Sequence, residues 1–274
     1  MARSALLNVM VDAATRAGRS LTRDFNEVEN LQVSLKGPGD FVSQADIKAE
    51  KTLRTALDKG RPGYSFLMEE GGALDRGSEY RWIIDPLDGT TNFLHSNPFF
   101  AIAVALEKQG QLIASVVYNP ISEELFTAEK GRGAFVNDRR MRVAGRTAMD
   151  ECVIATGIPA LNKRGHGIAL FRQRDIMNRV AGVRATGSAA LNLAYVAAGR
   201  FDGYFEEGLQ PWDIAAGLLM VREAGGFASE PDAKASMYET GRIVAGNESV
   251  HATLREIVSR PLPEALVKAS GQSA

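Results

Sequence analysis

The residues richest in chemistry lie together in Trp82-Ile83-Ile84-Asp85-Pro86-Leu87-Asp88-Gly89-Thr90-Thr91-Asn92-Phe93. An apolar run ends in an acid, a proline interrupts any strand ladder, and a second acid follows three residues on. Asp85 and Asp88 are hard oxygen donors of the kind that suits Mg²⁺. The turn that Pro86 forces can aim the Leu87 carbonyl at the same ion. The free N–H groups of Gly89, Thr90 and Thr91 suit a phosphate oxygen. A strand-end turn with an N-cap aspartate has the same spelling, however.

Two further acidic elements bear on the choice. Glu69-Glu70 follows the run Tyr64 to Met68, which puts one of the pair at the C-terminal end of a strand. Asp213, in Gln210-Pro211-Trp212-Asp213, falls in the first turn of an apolar helix. Each has an ordinary explanation alone: a solvated turn for the pair, and for Asp213 a helix-dipole contact of about 0.3–1 kcal/mol. They make a site only if the fold brings them to one place.

Positioning them falls to elements that the hydrophobic pattern outlines. Leu6, Val9, Met10, Ala13, Ala17, Leu21 and Phe25 recur at helical spacing. Asp12, Arg16 and Arg19 break the run that a signal peptide needs, so this reads as an amphipathic helix. A glycine-containing turn, Lys36-Gly37-Pro38-Gly39-Asp40, separates it from a second helix beginning near Ser43. There Ser43 and Asp46 have capping-box spacing. Short β-like runs follow at Tyr64 to Met68, Arg81 to Asp85, Phe99 to Leu106, Gln111 to Tyr118, Leu125 to Ala128 and Ala134 to Val136. Their close spacing predicts an antiparallel meander with helices on one face.

After about residue 146 strands alternate with helices. The strands fall at Cys152 to Thr156, Phe201 to Glu206 and Arg242 to Ala245. The helices fall at Ile168 to Val180, Ser188 to Ala198, Pro211 to Ala224 and Glu248 to Val258. That alternation predicts a second, mixed or parallel sheet. The chain divides into halves, 1–146 and 147–274, that share an interface, with a tail expected to fray from Arg260.

Composition narrows the chemistry. The 274 residues (29.6 kDa) are 45% hydrophobic and 24% charged, which is ordinary for a globular chain. A formal charge of -1 offers nothing global to nucleic acid or an anionic membrane. No stretch approaches the roughly 20 apolar residues of a membrane span, so a cytoplasmic protein is expected. One cysteine, Cys152, excludes an internal disulfide and a cysteine-built zinc site. With only His95, His166 and His251 besides, any polyvalent metal must be held mainly by oxygen. His95 and Cys152 themselves read as packing residues, and Arg184 as a strand-end or dimer-supporting residue.

The DPLDGTTNF segment and the acidic pair before it, with Gly187-Ser188-Ala189-Ala190 and Pro211-Trp212-Asp213 after it, resemble the inositol monophosphatase family. The likeness spans roughly Leu6 to Val258. It is closest to the bacterial SuhB-type branch over Arg184 to Arg200. The resemblance implies an α/β fold of α+β character, layered αβαβα, with an antiparallel meander sheet and a second mixed sheet. It implies a cytoplasmic, lithium-sensitive homodimer. The expected reaction is Mg²⁺-dependent hydrolysis of inositol monophosphate, or a related sugar or polyol phosphate, by direct attack of metal-activated water.

Residue by residue, the resemblance puts the acids for two or three Mg²⁺ ions on Glu69, Asp85, Asp88 and Asp213, with the Leu87 carbonyl. Glu69, Thr90 and Asp46 become catalytic, the last two orienting the attacking water. Phosphate falls to Gly89 and Thr90. The alcohol falls to Gly187, Ser188, Ala189, Glu206 and Asp213, Asp88 also counts as substrate-binding, and Lys36 becomes a mobile-loop contact. One departure stands out: Met68 and Gly71 flank the acidic pair where the family usually has Gly and Ser.

Other readings remain open at this stage. Fructose 1,6-bisphosphate, a nucleotide 3′-phosphate or histidinol phosphate is a possible substrate within the family. A SuhB-like role would be protein binding in transcription antitermination or ribosome assembly. A haloacid-dehalogenase-like aspartyl-phosphate route fits poorly, because that motif spaces its acids two apart and this chain spaces them three apart.

Overall fold

The structure, a computed structural model, describes residues 3–28, 33–37, 40–158, 166–232 and 235–263. Helix α1 (Ala5–Phe25) starts at Ser4, whose hydroxyl accepts the Leu7 N–H, and buries Leu7, Met10, Ala13, Ala17 and Leu21. Helix α2 (Gln44–Gly60) packs beside it and opens on the expected capping box. The Ser43 N–H donates to Asp46 Oδ2 at 2.8 Å, while Ser43 Oγ accepts the Ala45 N–H. Between the helices the sequence predicts a turn, but the backbone forms a hairpin of β1 (Val33–Gly37) and β2 (Asp40–Ser43). The alternation in Val33-Ser34-Leu35 and the Phe41-Val42 pair favour strand, and the glycines near the turn obscure that signal. Lys36 belongs to β1; its side chain lies outside the described residues.

The larger sheet contains β3 (Ser65–Met68), β4 (Gly72–Leu74), β5 (Tyr80–Asp88), β6 (Ala101–Lys108), β7 (Gln111–Asn119), β8 (Glu124–Glu129), β9 (Gly133–Val136) and β10 (Arg139–Arg140). Its order is β10-β9-β8-β7-β6-β5-β3-β4. From β5 to β10 it is the expected antiparallel meander. At the other end β3 pairs with β5 in parallel, Ser65 opposite Arg81 through Met68 opposite Ile84, so the sheet is mixed.

Alternation along the central strands splits the core. Trp82, Ile84, Val104, Leu106 and Val116 join the cluster of α1 and α2. Ile83, Ala103, Ala105 and Val117 turn the other way, onto α5 (Ala189–Ala197) and α6 (Pro211–Glu223). Helices therefore cover both faces and not one. This explains why the strands read as nearly continuous apolar runs.

The second sheet runs β12 (Gly182–Ala185), β11 (Val153–Thr156), β13 (Gly203–Glu206), β15 (Ile243–Gly246), β14 (Phe227–Ser229). β11 is parallel to both β12 and β13, whereas β15 is antiparallel to its neighbours. Ala155, Tyr204, Ile243 and Ala245 face α5 and α6. Ile154, Phe205 and Val244 face the outer helices α4 (His166–Met177) and α8 (Glu248–Val258). The layers are thus α1/α2, sheet, α5/α6, sheet, α4/α8: the expected αβαβα α/β fold.

This topology decides where the acids can meet. β3 and β5 run in parallel and end on Glu69 and Asp85 to Asp88. The parallel strands β11, β12 and β13 end at Thr156, Ala185 and Glu206, with Gly157 and Thr186 just beyond the first two. Crevices at the carboxyl ends of parallel strands are the usual ligand sites of α/β sheets.

Candidate active site

Pro86 breaks the β5–β6 ladder between Asp85 and Asp88, and the chain turns within the strand end. The Leu87 N–H folds back to donate to Asp85 Oδ1 at 2.9 Å. Gly89, at φ 99, then leads into the short helix α3 (Thr90–Leu94). Two constraints require glycine there. The backbone is left-handed, and a Cβ would stand 3.1 Å from the Phe99 carbonyl oxygen and 3.2 Å from that of Gly187.

Asp88 reaches across to the second half of the chain. Ser188 Oγ donates to its Oδ2 at 2.5 Å and the Ala190 N–H donates to the same oxygen at 2.7 Å. The Ala189 N–H approaches Oδ1 at 3.3 Å. Asp88 thus satisfies donors at the N-terminus of α5. Gly187, at φ 85, makes the sharp approach to that helix. Asn92 adds a second bridge, donating from Nδ2 to the Phe99 carbonyl at 2.7 Å and the Thr186 carbonyl at 2.8 Å.

Asp46 faces the same place from α2. It is 1% exposed, holds the Ser43 N–H and hydroxyl on Oδ2, and receives the Thr90 hydroxyl on Oδ1 at 3.0 Å. Thr90 Oγ1 also lies 3.1 Å from the Leu87 carbonyl oxygen. Its single proton therefore has two acceptors to serve.

Asp213, on the first turn of α6, accepts the Gln210 N–H on Oδ2 at 2.7 Å. Glu206, at the end of β13, accepts the Tyr204 hydroxyl at 2.5 Å.

The acids feel one another. Burial, then the charges of Glu69, Asp88 and Asp213, push Asp85 well above the usual carboxylate range. Burial and then Asp88 raise Asp213 well above that range, with Glu69 and Glu206 adding to it. Burial lifts Asp88 to about 6 against the pull of Ser188, Ala190 and Ala189. It also lifts Glu206 to about 7, although the Tyr204 hydrogen bond acts the other way. Asp46 is raised by burial, and its hydrogen bonds to Ser43 and Thr90 only partly offset this. Glu69, Asp85, Asp88 and Asp213, spread over 145 positions of sequence, thus share one field.

Among the described residues no three His, Cys, Asp or Glu side chains are gathered closely enough to hold one ion. The acids form a common field and not a finished cage. The donor set nevertheless fits a hard divalent cation. It consists of carboxylates and a backbone carbonyl, without sulfur or imidazole, and its mutual repulsion is of the kind that positive charge relieves.

The departures at Met68 and Gly71 answer each other. A Cβ on Gly71 would stand 2.8 Å from Glu50 Oε1 and 3.0 Å from Met68 Cε. The larger residue before the acidic pair thus fills space that the smaller one after it leaves. Glu50 is itself a residue that the sequence reading missed. It is buried on α2, and its Oε2 accepts the Glu70 N–H at 2.8 Å, which pins the turn that carries Glu69. Its position four residues after Asp46, on the same helix face, was the available signal. Asn92 and Tyr204 were also missed, and only Tyr204, two residues from Glu206 on a strand, had a local signal.

The model of the inositol monophosphatase family matches residues 2–261. An inositol-1-monophosphatase of Mesorhizobium japonicum is 61% identical over 263 residues, covering 96% of this chain and 99% of the relative. Nus factor SuhB of Pseudomonas aeruginosa is 40% identical, covering 95% of this chain and 98% of its own. The crystal structure of extragenic suppressor protein suhB from Bartonella henselae superposes with a TM-score of 0.91 at 56% identity, covering 94% of this chain and 100% of that one. Matched along nearly its whole length in both sequence and fold, the chain belongs to the inositol monophosphatase family.

Proposed function

We infer that the chain is an inositol-1-monophosphatase, a phosphomonoesterase that splits inositol monophosphate into alcohol and phosphate. The observation that carries this reading is the shared field of Glu69, Asp85, Asp88 and Asp213 beside the Thr90–Asp46 hydrogen bond. Relatives 58–61% identical bear the name inositol-1-monophosphatase.

The family is metal-dependent. Glu69, Asp85, Asp88, Asp213 and the Leu87 carbonyl would hold two or three Mg²⁺ ions. Such ions, when bound, supply Lewis acidity toward the phosphate and leaving oxygens. The chain's own groups do the rest. The N–H groups of Gly89 and Thr90 bind phosphate oxygens at the turn into α3. The Thr90 hydroxyl donates to Asp46 and keeps a lone pair for a water proton, which aims the water at phosphorus. Asp46, tied on Oδ2 by Ser43, holds that hydroxyl in place. Gly187, Ser188, Ala189, Glu206 and Asp213 surround the alcohol, with Lys36 as a further loop contact. In this reading residues 1–146 carry most of the metal ligands, and 147–274 carry the alcohol contacts and Asp213.

The test is phosphate release from inositol 1-phosphate, fructose 1,6-bisphosphate, a nucleotide 3′-phosphate and histidinol phosphate, with and without Mg²⁺. Mg²⁺-dependent turnover led by inositol 1-phosphate is expected, with inhibition by lithium and a homodimer by light scattering. An aspartyl-phosphate trapped on Asp85 would overturn the direct-attack mechanism.

A second reading rests on the SuhB relatives, whose name is that of a Nus factor. It gives this chain a protein partner in the transcription machinery. Asp213→Asn separates the two roles, because binding survives it and hydrolysis does not. Among the described residues no helix is long and apolar enough to cross a membrane.

A further inference from the structure

Tyr204 and Glu206 stand two apart on β13 and so share its inner face. Tyr204 is fully buried, and its hydroxyl donates to Glu206 Oε2 at 2.5 Å. With that proton committed, the phenol cannot serve a ligand, and Oε1 is the Glu206 oxygen left to do so. β11 runs parallel beside β13, Thr156 opposite Phe205, so the next residue, Gly157, comes alongside Glu206. A Cβ built on Gly157 would fall inside the Glu206 carboxylate, overlapping Oε1, Cδ and Oε2. Gly157 is not among the positive-φ glycines. Its backbone therefore does not demand glycine; the space occupied by the carboxylate does.

We propose that Tyr204 and Gly157 are positioning residues that together fix the Glu206 carboxylate, and through it set the preference for a polyol phosphate over a phosphate ester without hydroxyls. Tyr204 anchors one oxygen from the core side. The missing side chain at 157 lets the carboxylate lie back against the strand end. The flexible end of Glu206 would move more cheaply than either backbone, so any side chain at 157 displaces the carboxylate first. The inference rests on the reading of Glu206 as a contact for the alcohol.

Steady-state kinetics of Tyr204→Phe, Gly157→Ala and Glu206→Gln on inositol 1-phosphate and on p-nitrophenyl phosphate test it. Loss of one hydrogen bond to a charged acceptor predicts a rise of about tenfold in KM for inositol 1-phosphate in each variant. The kcat should change less than KM, and the KM for p-nitrophenyl phosphate should rise far less than that for inositol 1-phosphate, so that the ratio of the two KM values separates each variant from wild type. Tyr204→Phe combined with Glu206→Gln should be no worse than Glu206→Gln alone, because both remove one interaction. If Glu206→Gln separates the substrates while Tyr204→Phe and Gly157→Ala do not, the positioning role is wrong and the Glu206 contact stands. If Glu206→Gln fails to separate them, the contact itself is wrong and takes this inference with it. An equal KM rise on both substrates in Tyr204→Phe marks a merely structural phenol and also overturns the proposal. Should Tyr204→Phe not fold, Gly157→Ala decides alone.

Discussion

A carboxylate that meets a cation or a catalytic hydroxyl has to be held in one orientation. Asp46, Asp85, Asp88 and Asp213 manage this alike: backbone or hydroxyl donors hold one oxygen of each most firmly. The consequence can be tested at Asp46. Asparagine there keeps the shape but removes the anion that Thr90 faces. We expect turnover to fall by a factor on the order of 10² to 10⁴, while urea denaturation shows a loss of about 1 kcal/mol from the weakened helix cap. Equal losses in both would leave Asp46 as a cap only. Glu206 carries a cost of its own. Its carboxyl titrates near 7 in the fold but near 4.5 unfolded, so between those values the folded state holds a proton that the unfolded state has released. Stability therefore declines as pH rises through that window. Glu206→Gln should be more stable than wild type at pH 8 by on the order of 3 kcal/mol, and close to it at pH 4. Denaturant midpoints at the two pH values check this.

At the scale of elements, the turn from β3 to β4 holds Glu69 in place through packing. Gly71 leaves room for both Glu50 and the end of Met68. Gly71→Ser restores the usual family residue and should nevertheless destabilise this chain by about 1–3 kcal/mol through overpacking. Met68→Ala should cost less in that background than in the wild type, a non-additivity that a double-mutant cycle reads directly. The elements missed in the sequence share a cause. The β1–β2 hairpin, β4, β12, β14 and α7 (Met237–Thr240) are all five residues or shorter. So short an element shows no period of its own; β3, β9, β11, β13 and β15, four residues each, were legible instead as apolar runs bounded by turn signals. The long elements, α1, α2, β5 to β8, α6 and α8, were legible because each carries its pattern over several turns or pleats.

The molecule as a whole is joined where its halves meet. One core cluster runs from Ile83, Ala103, Ala105 and Val117 of the large sheet, through α5 and α6, to Tyr204, Ile243 and Ala245 of the second sheet. Asp88 and Asn92 add polar bonds across the same boundary. A fragment of residues 1–146 would expose an entire apolar sheet face. We expect it to lack near-ultraviolet circular dichroism and a cooperative melt, whereas the full chain unfolds in one transition. A fragment with native-like melting would show that the halves are independent domains.

The amino-acid sequence by itself determined which oxygens are available, because residue type sets donor chemistry and no sulfur or imidazole set competes with it. It also determined the long helices and strands, whose periodic burial is written locally. Convergence was decided only in three dimensions. The parallel pairing of β3 with β5, the reach of Asp88 to α5 and the contact of Gly157 with Glu206 join residues up to 102 positions apart. Local pattern cannot specify such pairings, since they depend on which strand lies beside which.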